Sequence, residues 1–246
     1  MNLALPLRYL PNKTEDDIKS LAPDLHLRYS SKAKRLSLKQ ETSKGLVTLV
    51  IPKGANLKAA YTFVEDNLEW IETHLNKLPP PLYFKDGTEI SLFGQRVHLD
   101  IFFDESRKTT KIKLYGTYLN VHTNKEDPTS RIIRFIKKES KDAFSKLAID
   151  KAQMIGKSVE KISIKDTSTR WGSCTEDGCI SLSWRLAFAP METIDYVIAH
   201  EVAHLEHMNH SKEFWALCES LSSNYTHGKT WLKQNGKELM RYGASL

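Results

Sequence analysis

The pentapeptide His200-Glu201-Val202-Ala203-His204 has residue types and a spacing suited to metal chemistry. An α-helix turns once in about 3.6 residues, so side chains four apart stack on one face about a turn apart. Two imidazoles so placed converge on a single ion. Glu201 lies about 100° around the helix from His200 and is set to reach a water on that ion rather than the ion itself. A catalytic zinc takes three protein ligands and keeps a fourth position for water. His210, six residues beyond His204, supplies the third ligand if the chain turns at Met208-Asn209. The expected cofactor is therefore Zn2+, or another divalent ion, held by His200, His204 and His210. Glu201 is the expected general base for a metal-activated water. His207 lies near the same face. It could replace His210 as a ligand, contact substrate or be exposed, and a third ligand from one short helix would strain a tetrahedral site.

Hydrolysis at such a centre gains from a second electrophile, for which His207, Tyr225, His227 and Arg185 are candidates. Arg170 and Arg185 could bind phosphates, or could pair with Asp166 or Glu192. The segment Cys179 to Trp184 alternates in character and reads as a strand, either a core strand or one that pairs with an extended peptide substrate. Trp171 and Trp184 read as core rings.

Elements must position these residues. Pro190 opens the helix that carries the motif, with Met191, Ile194, Ile198, Val202 and Leu205 on its apolar side. A following helix holds Phe214, Trp215, Cys218 and Leu221, and the tail from about Thr226 reads as helical. Upstream, Asp127-Pro128 is a helix start, and Gly156 is its natural stop. Strands are expected at Val159 to Lys165 and at Cys179 to Trp184, with Asp177-Gly178 as the turn before the latter. Residues 1–27 contain Pro6, Pro11 and Pro23 and read as a loosely structured lead-in. Residues 28–126 read as a β-rich module, a half-open sheet or barrel with one helix. Leu36 to Lys39 and Leu46 to Ile51 form its hairpin, and the helix runs from Leu57 to Leu75 with Asn56 as N-cap. Residues 127–246 form the metal-binding region.

The chain has 246 residues, 40% of them hydrophobic, which is enough for a core of one large or two small domains. No stretch approaches the ~20 apolar residues of a membrane span. The opening Met1 to Leu10 is too short and too soon interrupted for a signal peptide. A cytoplasmic location is expected. The odd count of three cysteines fits a reducing compartment and rules out a fully paired disulfide set. Cys174 and Cys179 offer only two of the four ligands a structural zinc needs. The net charge of +6 allows a nucleic-acid partner but does not favour one, because the lysines are dispersed among acids rather than striped.

Several stretches together resemble the YgjP-like metallopeptidase family, a relative of the SprT-like and WLM zinc proteases. They are Arg170-Trp171-Gly172-Ser173-Cys174, Trp184-Arg185-Leu186, Ala189-Pro190, the His200 to His204 motif, Asn209-His210-Ser211 and Phe214-Trp215. The resemblance is dense from about 165 to 235 and thinner over Arg35 to Ile51 and around Phe63, Trp70 and Ile71. It implies zinc on His200, His204 and His210, catalysis by Glu201, and an α+β fold whose C-terminal region is zincin-like. It also carries an ambiguity, since some members are described as UTP pyrophosphatases. The leading expectation is a zinc-dependent metallopeptidase. The alternatives are a metal-dependent nucleoside triphosphate pyrophosphatase and a basic nucleic-acid-associated module with a structural zinc. The expected substrate is accordingly a peptide or a nucleotide.

Overall fold

The computed structural model describes residues 13–41, 45–77, 80–167 and 169–244. The chain is mixed α+β and divides after Pro81 into two compact units.

In the first unit, α1 (Glu15–Leu21) begins with a reciprocal cap in which Thr14 and Asp17 satisfy each other's backbone N–H groups. A three-stranded sheet follows, in the order β1 (Leu25–Ser30), β3 (Leu46–Pro52), β2 (Ser37–Glu41). β2 and β3 pair antiparallel, as the hairpin reading expects, and β1 adds parallel to β3. Residues 47–51 of β3 are all buried, as befits a central strand covered on both faces. Part of the segment expected as lead-in is thus ordered as α1 and the start of β1. Its first 12 residues lie outside the described ones. The expected single helix is two, α2 (Leu57–Glu65) and α3 (Leu68–Asn76). The break has a local cause: Asn67 donates from Nδ2 to the Phe63 carbonyl at 2.7 Å and so takes an acceptor from the end of α2. Asn56 caps α2 through Lys58 N.

The second unit holds a four-stranded sheet in the order β5 (Glu89–Leu92), β6 (Gln95–Phe103), β8 (Tyr118–Thr123), β7 (Lys111–Tyr115). A short ladder joins β4 (Leu82–Tyr83) to β12 (Tyr242–Ala244). The four-stranded sheet does not belong with the N-terminal hairpin. Leu92, Val97, Leu99, Leu119 and Val121 share one apolar core with Ile132, Ile136 and Phe144 of α4 (Thr129–Met154) and with Ile194 and Ile198 of α5 (Met191–Ala203). The division therefore falls after Pro81, not at the expected 126/127, because a buried sheet face goes with the helices that cover it. The helix starts one residue later than read, with Pro128 rather than Asp127 at the N-cap, and Asp127 Oδ1 accepts from Thr129 N at 2.9 Å.

A third sheet, β10 (Gly172–Cys174), β11 (Cys179–Ser183), β9 (Lys161–Lys165), leads to the site. The turn at Asp177-Gly178 closes the β10–β11 hairpin, with Gly178 at φ 76°. A 3₁₀ turn, Trp184–Phe188, then delivers the chain to α5. α6 (Lys212–Leu221) and α7 (Tyr225–Leu239) complete the unit. Among the described residues no helix is long and apolar enough to cross a membrane.

Candidate metal centre

α5 is buried almost all round, and its partly open positions are few. His200 is one of them. His204 stands one turn later at the helix C-cap. Beyond it the chain doubles back. Asn209 Oδ1 accepts from Ser211 N at 3.2 Å, and Ser211 Oγ caps α6 through Phe214 N at 3.3 Å. Those two local bonds fix the entry to α6 and turn His210 toward α5. One ring nitrogen from each of His200, His204 and His210 lies within 4.8 Å of the others, and His200 Nε2 is 3.1 Å from His210 Nε2. His207 does not join this group.

The rings rest on a common floor. Phe214 is fully buried, with its centroid 4.9 Å from His200, 4.5 Å from His204 and 4.7 Å from His210. Trp215 stacks on His210 at 5.5 Å. Replacing Phe214 with Leu should cost about 1–2 kcal/mol of stability, because the smaller side chain leaves a gap under all three imidazoles. Thermal melts of the chain with and without added metal test this, and metal affinity should fall as well.

The donor chemistry fits a divalent cation. His204 Nδ1 lies 3.0 Å from the backbone carbonyl of His207. A carbonyl only accepts, so Nδ1 carries the proton and Nε2 keeps its lone pair for a ligand. His207 thus contributes through its backbone. Burial, reinforced by repulsion from His204, His210 and Lys229, lowers His200 to about 4 and keeps it neutral, the form that binds metal. Burial likewise lowers His204.

Glu201 is 5% exposed. Burial pushes its carboxyl up to about 8, opposed by the Arg170 guanidinium. β10 runs directly against it: a Cβ at Gly172 would fall on the Glu201 carboxyl. Gly172 is therefore required here for close approach rather than for a turn. Gly172→Ala should displace the carboxyl and lower turnover about tenfold or more, with metal content unchanged. Turnover and metal analysis on one preparation decide it. The same strand brings Cys174 close enough to interact with Glu201, and burial raises that thiol to about 11, so it is inert. The three cysteines are free.

The remaining sequence candidates separate. Arg170 is exposed and acts on Glu201. Tyr225 is half-buried, with its ring 5.5 Å from that of Tyr196, which in turn lies 6.2 Å from His200. Its hydroxyl accepts from Lys229 Nζ at 2.7 Å. Lys229 also lies 4.1 Å above the Trp215 ring, a placement no sequence pattern singles out. His227 is exposed. Arg185 is engaged within the fold. It is 4% exposed, ion-paired with Asp166, bonded through Nε to the Tyr242 carbonyl and packed on Trp184. Its charge is spent tying β12 to the turn before α5. Trp184 is fully buried in the core, whereas Trp171 is half-buried and packs against that core beside Gly236 of α7. The strand read as a peptide platform, Cys179–Ser183, has both edges occupied, by β9 and by β10. It cannot accept another strand. β10 and β9 are the two edges of this sheet, and β10, three residues poor in β-formers, is the edge that runs against Glu201.

The YgjP-like metallopeptidase domain matches residues 34–235. No curated protein matches the chain. One similar solved structure is the metallopeptidase zymogen of Pyrococcus abyssi abylysin. It is 18% identical, covers 37% of this chain and 93% of its own, and has a TM-score of 0.33, a likeness that bears on neither fold nor function. The family match spans most of the chain, and the chain belongs to the YgjP-like metallopeptidase family. Membership implies a hydrolase with a metal cofactor and a peptide substrate.

Proposed function

We propose that this member of the family is a zinc-dependent peptidase in which His200, His204 and His210 hold the metal and Glu201 is the general base. The observation that carries this reading is the convergence of three imidazole nitrogens, from α5 and the turn before α6, beside a buried glutamate on the same helix. A zinc ion bound there supplies a Lewis acid that acidifies water and favours negative charge on the substrate carbonyl oxygen.

The chain's own groups do the rest. Glu201 takes a proton from the attacking water and returns it to the leaving amine nitrogen. The backbone of Gly172 holds its carboxyl in one orientation. The His207 carbonyl fixes the tautomer of His204. Tyr225 receives its hydrogen bond from Lys229 and so keeps its own phenolic proton to donate to the carbonyl oxygen. An extended peptide pairs along the free edge of β10, which runs past Glu201, and Arg170 borders that edge. In this reading residues 127–246 form the zincin-like catalytic region.

The pyrophosphatase alternative needs several cations converging on phosphates. Commitment of Arg185 to Asp166 removes one of the two it relied on. A purely structural zinc gives no reason for a buried Glu201 beside the ligands, and closed structural sites take four protein ligands.

Metal-quantified protein incubated with casein, UTP and other nucleotides separates the readings. Cleavage of casein with nucleotides intact is the expected result. Release of pyrophosphate with casein intact would make the chain a nucleotide hydrolase.

A further inference from the structure

The outer face of the four-stranded sheet is unusual for a solvent-facing surface. Strand register sorts its residues into ranks. Phe102 of β6 lies opposite His122 of β8, which lies opposite Lys111 of β7. Two residues along, Asp100, Asn120 and Lys113 form the next rank. Two further, His98, Tyr118 and Tyr115 form a third, with Glu89 of β5 beyond His98. The alternate positions Val97, Leu99, Leu119 and Val121 fill the core, so these ranks face outward.

Two of the three ranks are aromatic. The Phe102 and His122 rings stack at 4.8 Å and 16°, and the His98 and Tyr118 rings at 5.5 Å and 28°. Burial does not explain them: Phe102 is 50%, Tyr118 49% and Tyr115 57% exposed. Ranks two residues apart are separated by about 6.6 Å and the two aromatic ranks by about 13 Å. Between them lies the middle rank of Asp100, Asn120 and Lys113. Lys111 and Lys113 flank the ranks and face His122 and Asn120 rather than acids across the ladder. Of the acids on the face, Glu89 is held by His98 at 3.3 Å and Arg96 at 3.9 Å, and Asp100 lies in the middle rank. Single-stranded nucleic acid offers the matching chemistry: flat bases at intervals of several ångströms, hydrogen-bonding edges between them, and phosphates along one side. Aromatic faces on a sheet with basic neighbours take such strands by stacking.

We propose that this sheet face binds single-stranded nucleic acid, with the Phe102–His122 and Tyr118–His98 pairs as two base-stacking platforms and Lys111 and Lys113 as phosphate contacts. The site is separate from the histidine cluster and does not depend on the peptidase reading. The chain's net charge of +6 is compatible with a polyanion without selecting one, and it is the stacked rings that point to one with bases.

Fluorescence polarisation of the full chain with short labelled oligo(dT) and oligo(U) at low salt tests the proposal. Wild type should bind both, and duplex DNA and dextran sulfate should compete poorly. Phe102→Ala and Tyr118→Ala should each weaken binding about tenfold. Tyr118→Phe should bind as wild type. Lys113→Ala should weaken all sequences alike and lower the salt slope by about one. Because these side chains are exposed, circular dichroism should show all variants folded. The proposal is overturned if wild type does not bind, or if binding ignores the rings and is shared equally with dextran sulfate. It is also overturned if sedimentation shows that Phe102→Ala abolishes self-association, which would make the face a contact between copies of the chain.

Discussion

Glu201→Gln should leave metal content at the wild-type level and lower peptide turnover by about 10²–10⁴-fold. The side chain is close to isosteric, so the packing of Gly172 against it survives. The three imidazoles are untouched. What is lost is the carboxylate that accepts a proton, and a positioned general base is worth about that factor. The deficit should lie in kcat, because proton transfer belongs to the transition state and not to substrate binding. Steady-state kinetics on casein or a derived peptide, with metal analysis of the same sample, provides the check. Undiminished turnover at equal metal content would remove Glu201 from the mechanism.

The second large effect lies away from the site. Lys151 of α4 and Asp195 of α5 form a buried ion pair at 2.5 Å. Lys151 also donates to the Leu221 carbonyl, and Asp195 accepts from Ser222 Oγ at 2.8 Å and Ser223 N at 3.0 Å. The pair thus clamps the α6–α7 connection onto both helices and sets where α7 presents Tyr225 and Lys229. Asp195→Asn leaves a buried ammonium without its counter-charge, which costs about 3–5 kcal/mol. Adding Lys151→Met removes the orphaned charge and should recover a good part of that loss, since the cost of breaking such a pair exceeds the cost of replacing it. Denaturant titration of the two single variants and the double variant measures the coupling. Additive losses would show that the two groups act independently.

What the sequence displays is mostly local. The spacing of His200, Glu201 and His204 follows from the pitch of one helix, and Asp127-Pro128 and Asn56 mark helix starts through bonds within two residues of themselves. His210 is legible because its return depends on a short turn with its own caps. What stays hidden depends on partners far along the chain. β10 is three residues of Gly, Ser and Cys with little strand character, yet it presses on Glu201. The parallel pairing of β6 with β8, which gathers scattered rings onto one face, has no local signal. For Arg185 the sequence leaves phosphate binding and a pair with Asp166 both open, and only the fold, which also brings the Tyr242 carbonyl to it, selects the pair. The helix from Leu57 to Leu75 keeps its apolar period through the break at Asn67, so periodicity alone does not reveal the split.

The central claim is that His200, His204 and His210 hold one catalytic metal ion. It is tested most directly by metal analysis of the purified chain and of alanine variants at 200, 204, 207 and 210. The account predicts one equivalent of zinc in wild type and in His207→Ala, and its loss in each of the other three. Retention of metal by His210→Ala together with its loss from His207→Ala would contradict the assignment.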